Sequence, residues 1–240
     1  MNFGVLTFKD WISDMNYYNI YTKLVSSVRS SKVIFKILFG FYPAKALWGQ
    51  YWDWTTIVLR QSITKHLLSD LDFLDMGCGP YAVLSRYARI KLSCRSVTAV
   101  DHCCELIAYA QLNDQKSGIK YLCSDLFSDV AGSYSLIAFN APYLEEDKGQ
   151  SLGLLPDELT HKRFCGGADG ASTIQRFLND LPEHLKPGGM ALLGVNHYHI
   201  KKEVVRAAIH KSGLKIVSHH ENPLTKACVY EIMEKDHAKV

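Results

Sequence analysis

"LDMGCGPY", Leu74 to Tyr81, places an acid and two glycines at the end of a short apolar run. Glycines let a backbone turn tightly and come close to a ligand. The residues that follow, "AVLSRYARIK" (Ala82 to Lys91), have helical spacing, so the segment reads as strand, turn and helix. The same alternation continues outward. "SVTAVD" (Ser96 to Asp101) is a strand and "CELIAYAQLNDQ" (Cys104 to Gln115) a helix. "IKYLCSD" (Ile119 to Asp125) and "YSLIAFN" (Tyr134 to Asn140) are strands. "TIQRFLNDLPEHL" (Thr173 to Leu185) is a helix, "GMALLGVN" (Gly189 to Asn196) a strand, and "EVVRAAIHKSG" (Glu203 to Gly213) a helix. "LKIVSHHE" and "ACVYEIME" are two strands around the turn "NPLT". Strands alternating with helices predict an α/β fold with a mostly parallel sheet covered on both faces. The final pair, with no helix between, predicts an antiparallel hairpin at one edge.

Ligands of such sheets bind outside the carboxyl ends of the strands. Asp75, Gly77 and Gly79 lie at the first of these ends, Asp101 at the second and Asp125 at the third. Asp75 either accepts a hydrogen bond from a ligand ammonium or organises the loop. A carboxylate at Asp101 suits two adjacent ribose hydroxyls, because it accepts from both. Asp125 suits an adenine amino group, with Leu126 or Phe127 against the ring.

This combination resembles the class I S-adenosylmethionine-dependent methyltransferases over Phe73 to Glu234. The resemblance implies a Rossmann-like sheet of seven strands with the late antiparallel hairpin. It also implies S-adenosylmethionine as cofactor, its methionine part held by the Gly-rich turn and its ribose by Asp101. Tyr81 stands where many members carry a third Gly, and either narrows the pocket or points out of it. A nicotinamide-binding Rossmann protein would share the acid after the second strand, but its tighter Gly-x-Gly-x-x-Gly pattern is missing.

"FNAPYLEE" (Phe139 to Glu146) follows the fourth strand. "NAPY" resembles the Asn-Pro-Pro-Tyr motif of enzymes that methylate amide or exocyclic amino nitrogens. Asn140, Pro142 and Tyr143 match, and Ala141 replaces the first Pro. The resemblance implies that Asn140 and a backbone carbonyl accept the two hydrogens of the acceptor nitrogen, a matter of positioning. Tyr143 would stack on the planar group. "RFCGGADGASTIQRFLNDLPEHLKPGG" (Arg163 to Gly189) narrows the resemblance to HemK-like glutamine methyltransferases through Gly166, Gly167, Asp169 and Gly170. Asp169 is expected to cap the helix that follows. His197 and His199 end the fifth strand, within reach of the pocket, though surface or loop positions are commoner for histidine.

Residues 1–70 read as a mainly helical, aromatic-rich lobe, ahead of a cofactor-binding domain at 71–240. All four Trp lie in this first segment. Trp48, Tyr51, Trp52 and Trp54 are candidate lid residues, with Tyr17, Tyr18 and Tyr21 as further contributors; packing is the plainer role for these rings. The lobe does not match the substrate domain of the release-factor enzymes, so a small-molecule acceptor is expected. Two alternatives stand beside N-methylation. One is cyclisation of S-adenosylmethionine to azetidine-2-carboxylate with release of methylthioadenosine. The other is a non-catalytic cofactor-binding partner subunit.

Hydrophobic residues make up 48% of the 240 and charged residues 21%, as in an ordinary globular protein. The balance of 27 basic and 24 acidic residues is too even to imply a nucleic-acid partner. Basic spots such as "HYHIKK" (His197 to Lys202) read as solvated surface. No apolar run reaches the length of a membrane span and no signal peptide is evident. The 7 Cys are irregularly spaced, without a CxxC pair, and no His, Cys and carboxylate set has metal-ligand spacing. Reduced thiols in a cytoplasmic protein, with no metal, are expected.

Overall fold

A computed structural model describes residues 23–45, 47, 50–66, 70–151, 153–155 and 158–235. The described residues divide into two compact units at Asp53/Trp54, not at residue 70. The reason is a helix, Trp54–His66, whose Val58, Leu59 and Ile63 pack with Phe73, Leu84, Leu136, Leu192 and Val229. Each such side chain stabilises the fold by about 1.5–3 kcal/mol through burial. Gly194 makes the close approach possible, since a Cβ there would lie 2.7 Å from both Leu59 Cδ1 and Thr55 Cγ2.

In the first unit, residues 23–30 are helical and α1 covers Lys32–Phe39. The Ser31 hydroxyl accepts from the Ile34 N–H at its start, and Gly40, at φ 81°, ends it in the left-handed region. Phe35 is fully buried, with ring centroids of Phe39, Phe41 and Tyr51 at 4.7, 5.3 and 5.6 Å. The Arg29 guanidinium donates to the Trp52 carbonyl at 2.6 Å.

The second unit opens with the helix already described, α2. It continues with β1 (Asp72–Met76), α3 (Val83–Lys91), β2 (Ser96–Asp101), α4 (Cys104–Leu112), β3 (Lys120–Cys123) and β4 (Tyr134–Asn140). After an insert come α7 (Ser172–His184), β7 (Leu185–Asn196), α8 (Lys202–Lys211), β8 (Leu214–Glu221) and β9 (Ala227–Glu234). The sheet runs β3-β2-β1-β4-β7-β9-β8, parallel except where β9 pairs with β7 and β8. Phe73 to Met76 of β1 are all buried, because helices cover both faces of a central parallel strand. Strand order, not direction, reverses between β1 and β4, a topological switch point that brings the parallel carboxyl ends of β2, β1 and β4 side by side. The registers are Met76↔Val100 and Met76↔Phe139.

The insert was not legible as structure in the sequence. It holds β5 (Leu144–Glu145), α5 (Glu146–Ser151), α6 (Glu158–Phe164) and β6 (Cys165–Gly167). β5 and β6 form a separate two-stranded parallel sheet. Strands of 2 and 3 residues carry no readable alternation.

The expectation of reduced thiols fails at one pair. Cys104 and Cys123 form a disulfide with 5.0 Å between their Cα atoms. Parallel register explains the pairing, for Cys123 stands opposite Asp101 and Cys104 begins the helix after β2. The remaining five cysteines are free thiols. The bridge closes a loop of sequence separation 19, for which chain entropy gives about 3 kcal/mol. Cys104→Ser is therefore expected to lower unfolding stability by about 2–3 kcal/mol in denaturant titration, as reduction of the wild type would. Among the described residues no helix is long and apolar enough to cross a membrane.

Candidate functional site

The Gly-rich turn is held from two sides. The Cys78 N–H donates to the Val100 carbonyl at 2.9 Å, and the Gly79 N–H donates to Asp101 Oδ2 at 2.9 Å. Gly77 and Gly79 have φ of 66° and 62°, which side chains rarely adopt. A Cβ at Gly77 would meet the Phe139 ring at 3.2 Å, so the turn lies over the residue preceding Asn140. A Cβ at Gly79 would have nothing within 4 Å, leaving the turn open where a ligand backbone can approach.

Asp75 organises the loop. It is 2% exposed, and its Oδ2 accepts from the Ser85 N–H at 2.9 Å and the Ser85 hydroxyl at 2.6 Å. Those bonds tie the end of β1 to the first turns of α3. Burial raises its pKa from 3.8 to about 7, against the Ser85 hydrogen bonds that pull it down. Between those values the native protein keeps a proton that the unfolded chain releases, so stability falls as pH rises from about 4 to about 7. Asp75→Asn, which does not ionise, is expected to flatten this profile by about 2 kcal/mol between pH 5 and 8, read from unfolding midpoints.

Asp101, the expected ribose ligand, is held at the end of β2 by backbone N–H groups. It is 7% exposed, and its two oxygens take the Gly79 N–H and, at 3.0 Å, the Cys103 N–H. A carboxylate has about four lone-pair sites. The two backbone N–H groups occupy two of them, and the His102 imidazole stands 3.5 Å from Oδ1, so adjacent hydroxyls would take the remainder. Hydrogen bonds to a charged group contribute about 1.5–3 kcal/mol each. Asp101→Ala is accordingly expected to weaken S-adenosylmethionine binding about 100-fold by calorimetry; unchanged affinity would remove the assignment.

Other predicted residues are placed differently. Asp125 is exposed, and its Oδ2 accepts from Arg176 Nη2 at 2.7 Å. Leu126 is buried in the core with a φ of 52°. Phe127 stacks on His184 at 4.3 Å and Phe177 at 5.3 Å, so it belongs to the core. Tyr81 is 5% exposed and therefore turned inward. Of the lid candidates, Trp48, Tyr17, Tyr18 and Tyr21 lie outside the described residues. Tyr51 packs on Phe35, Trp52 is buried, and Trp54 packs against the core beneath α2.

Asn140 ends β4 opposite Gly194, and the Ala141 N–H donates to the Gly194 carbonyl at 3.1 Å. The loop then passes against the glycine segment. A Cβ at Gly170 would lie 2.6 Å from the Tyr143 carbonyl oxygen, and one at Gly166 would lie 2.3 Å from the Gly170 carbonyl oxygen. Asp169, expected to cap α7, lies two residues before the N-cap Ala171, which has no side-chain cap; its Oδ1 accepts from the Ala171 N–H at 2.8 Å and so shapes the turn into the helix. The ring of Tyr143 is near-parallel to that of His199, 6.0 Å away. Burial, helped by the Lys148 charge, lowers the His199 pKa, favouring the neutral ring. Ser85, Phe139 and Gly194 escaped sequence reading, since each acts through a partner distant in the chain. His199 carried one signal, its place at a strand end.

No family model matches the chain. It is 31% identical over 121 residues to a Methanocaldococcus jannaschii protein whose name proposes protein N5-glutamine methylation, covering 50% of this chain and 58% of that protein. It is 27% identical over 167 residues to the release factor glutamine methyltransferase of Yersinia pestis, covering 68% of this chain and 59% of that enzyme. The chain thus spans less than two thirds of either relative. A solved methyltransferase structure from Pyrococcus furiosus superposes with a TM-score of 0.62 at 20% identity, over 89% of this chain and 96% of that one. The relatives are named for protein glutamine, which overturns the expectation of a small-molecule acceptor. Their names lend nothing to the azetidine alternative. With its sheet order, Gly-rich turn, paired Asp101 and NAPY loop, the chain has the class I S-adenosylmethionine-dependent methyltransferase fold and is a relative of the HemK-like protein glutamine methyltransferases.

Proposed function

We propose that this protein transfers a methyl group from S-adenosylmethionine to the side-chain amide nitrogen of a glutamine in a protein substrate. The observation that carries the reading is the NAPY loop, fixed at the end of β4 between Gly194 and Gly170, one strand from the Gly-rich turn. Names of relatives support it.

An amide nitrogen is a weak nucleophile, because its lone pair is delocalised into the carbonyl. The chain's task is to hold that nitrogen in line with the methyl carbon. Asn140 Oδ1 and a carbonyl of the loop accept the two N–H groups and turn the lone pair toward the cofactor side. Pro142 stiffens the loop, and Tyr143 packs on the amide plane. Gly77, Gly79 and Asp101 would hold the cofactor, which would supply an electrophilic methyl on sulfur. One N–H proton is lost as the N–CH3 bond forms and the S–CH3 bond breaks. The His199 ring, 6.0 Å from that of Tyr143 and favoured in its neutral form, is the candidate to receive it, directly or through water.

The test is incubation of the pure protein with deuteromethyl-labelled cofactor and a cell-extract protein fraction, followed by peptide mass spectrometry. The expected result is label on glutamine side chains. Label in small molecules only, or methylthioadenosine formed without acceptor, would overturn the reading.

A further inference from the structure

We propose that Glu146, His161 and Cys165 form a site for a divalent transition metal of zinc type that clips together the insert between β4 and α7. Linear spacing gives no ligand set here; the fold makes one. A carboxylate oxygen, an imidazole nitrogen and a thiol sulfur lie within 4.8 Å of one another. His161 Nε2 and Glu146 Oε1 are 3.1 Å apart. Zinc bonds of about 2.0–2.3 Å in a tetrahedron place ligand atoms about 3.3–3.6 Å apart. The oxygen–nitrogen pair, a hydrogen bond without the ion, is therefore close to chelating separation, and the thiol lies within 4.8 Å of both atoms. Thiolate with imidazole selects zinc or cobalt over magnesium or calcium. All three residues are half-buried, so the fourth position is open to water.

The insert has a use for such a clip. Among its described residues from 141 to 167, the buried apolar side chains are Ala141, Leu144 and Leu155. Substructures with so little core are often held by a metal. The ligands come from α5, α6 and β6, so the ion would join the chain leaving the NAPY loop to the chain entering Gly167–Gly170. Cys165 would bind as thiolate and release its proton to solvent.

A second trio, His197, Glu221 and Cys228, is equally compact but already committed. His197 Nδ1 faces the Ile200 carbonyl and Nε2 the Tyr230 hydroxyl, both at 3.0 Å. Glu221 is paired with Lys202 and Lys226.

Cobalt(II) titration of the metal-stripped full chain tests the site. One equivalent is expected to give a thiolate-to-cobalt charge-transfer band with tetrahedral visible bands, and zinc(II) to displace it. Cys165→Ser is expected to abolish the charge-transfer band, and His161→Ala to weaken binding at least 10-fold. Cys228→Ser is expected to leave the spectrum intact. Circular dichroism of each variant checks that it folds. No band at one equivalent, a band that survives in folded Cys165→Ser protein, or one lost in folded Cys228→Ser protein overturns the proposal.

Discussion

Asn140→Ala is expected to lower single-turnover methyl transfer about 100-fold or more while changing cofactor affinity less than about 3-fold. Asn140 stands at the end of β4, one strand from the Gly-rich turn proposed to hold the cofactor and two from Asp101. Strand spacing of about 4.8 Å puts it about 10 Å across the sheet from the ribose carboxylate, on the side where the sulfur would lie. The β4 backbone is fixed independently of the side chain, by its pairing with β1 and β7. Removing the amide thus takes away an acceptor without moving the strand. A substrate nitrogen with one hydrogen left unheld rotates away from in-line attack, and misplacement of that size costs about 100-fold. Asn140→Asp keeps acceptor oxygens at the same place and is expected to fall between Ala and wild type. Calorimetry of cofactor binding separates the alternatives. Equal losses in affinity and turnover would make Asn140 a cofactor contact.

The sheet was legible because its strands are long enough to carry a pattern. The antiparallel pair, Leu214–Glu221 and Ala227–Glu234, has the limits its sequence suggests, with turn residues between two alternating runs. The Gly-rich turn and Asp101 were legible because glycine at positive φ and acids at strand ends are local signals. Three features were not, for distinct reasons. The Cys104–Cys123 bridge depends on β2 and β3 lying in parallel register, which no spacing rule reports. Helix α2 reads as part of an aromatic lobe because Trp54 opens it, yet its buried face is Val58, Leu59 and Ile63. The insert has too few residues per element for periodicity to appear. Glu146, His161 and Cys165 were therefore invisible as a set, since α5, α6 and β6 bring them together. Ala141 stands in place of the motif's first Pro, and the loop is stiffened from outside, by Gly194 on one side and Gly170 on the other.

That outside stiffening carries the second large expectation, that Gly170→Ala disables methyl transfer while leaving the sheet folded. Gly170 has a φ of 71°, where an alanine is strained by about 1–3 kcal/mol. The added methyl would also sit 2.6 Å from the Tyr143 carbonyl oxygen and 3.4 Å from the Glu145 nitrogen. Both neighbours are backbone, so no side-chain rotation relieves the contact, and the NAPY loop must move. A displacement of about 1 Å at the acceptor clamp costs about 100-fold in rate. The proposed cofactor residues Gly77, Gly79 and Asp101 are not among the atoms that the new methyl would meet, and cofactor affinity is expected to stay within about 3-fold of wild type. Gly188→Ala is the control. Its φ is 73° but nothing lies within 4 Å of the new methyl, so it meets the backbone strain without the clash. A loss of transfer in Gly170→Ala, with near-normal transfer in Gly188→Ala, would place the effect in the contact with Tyr143. Equal losses in both would mean that strain alone governs, and that the glycine segment does not set the position of the acceptor loop.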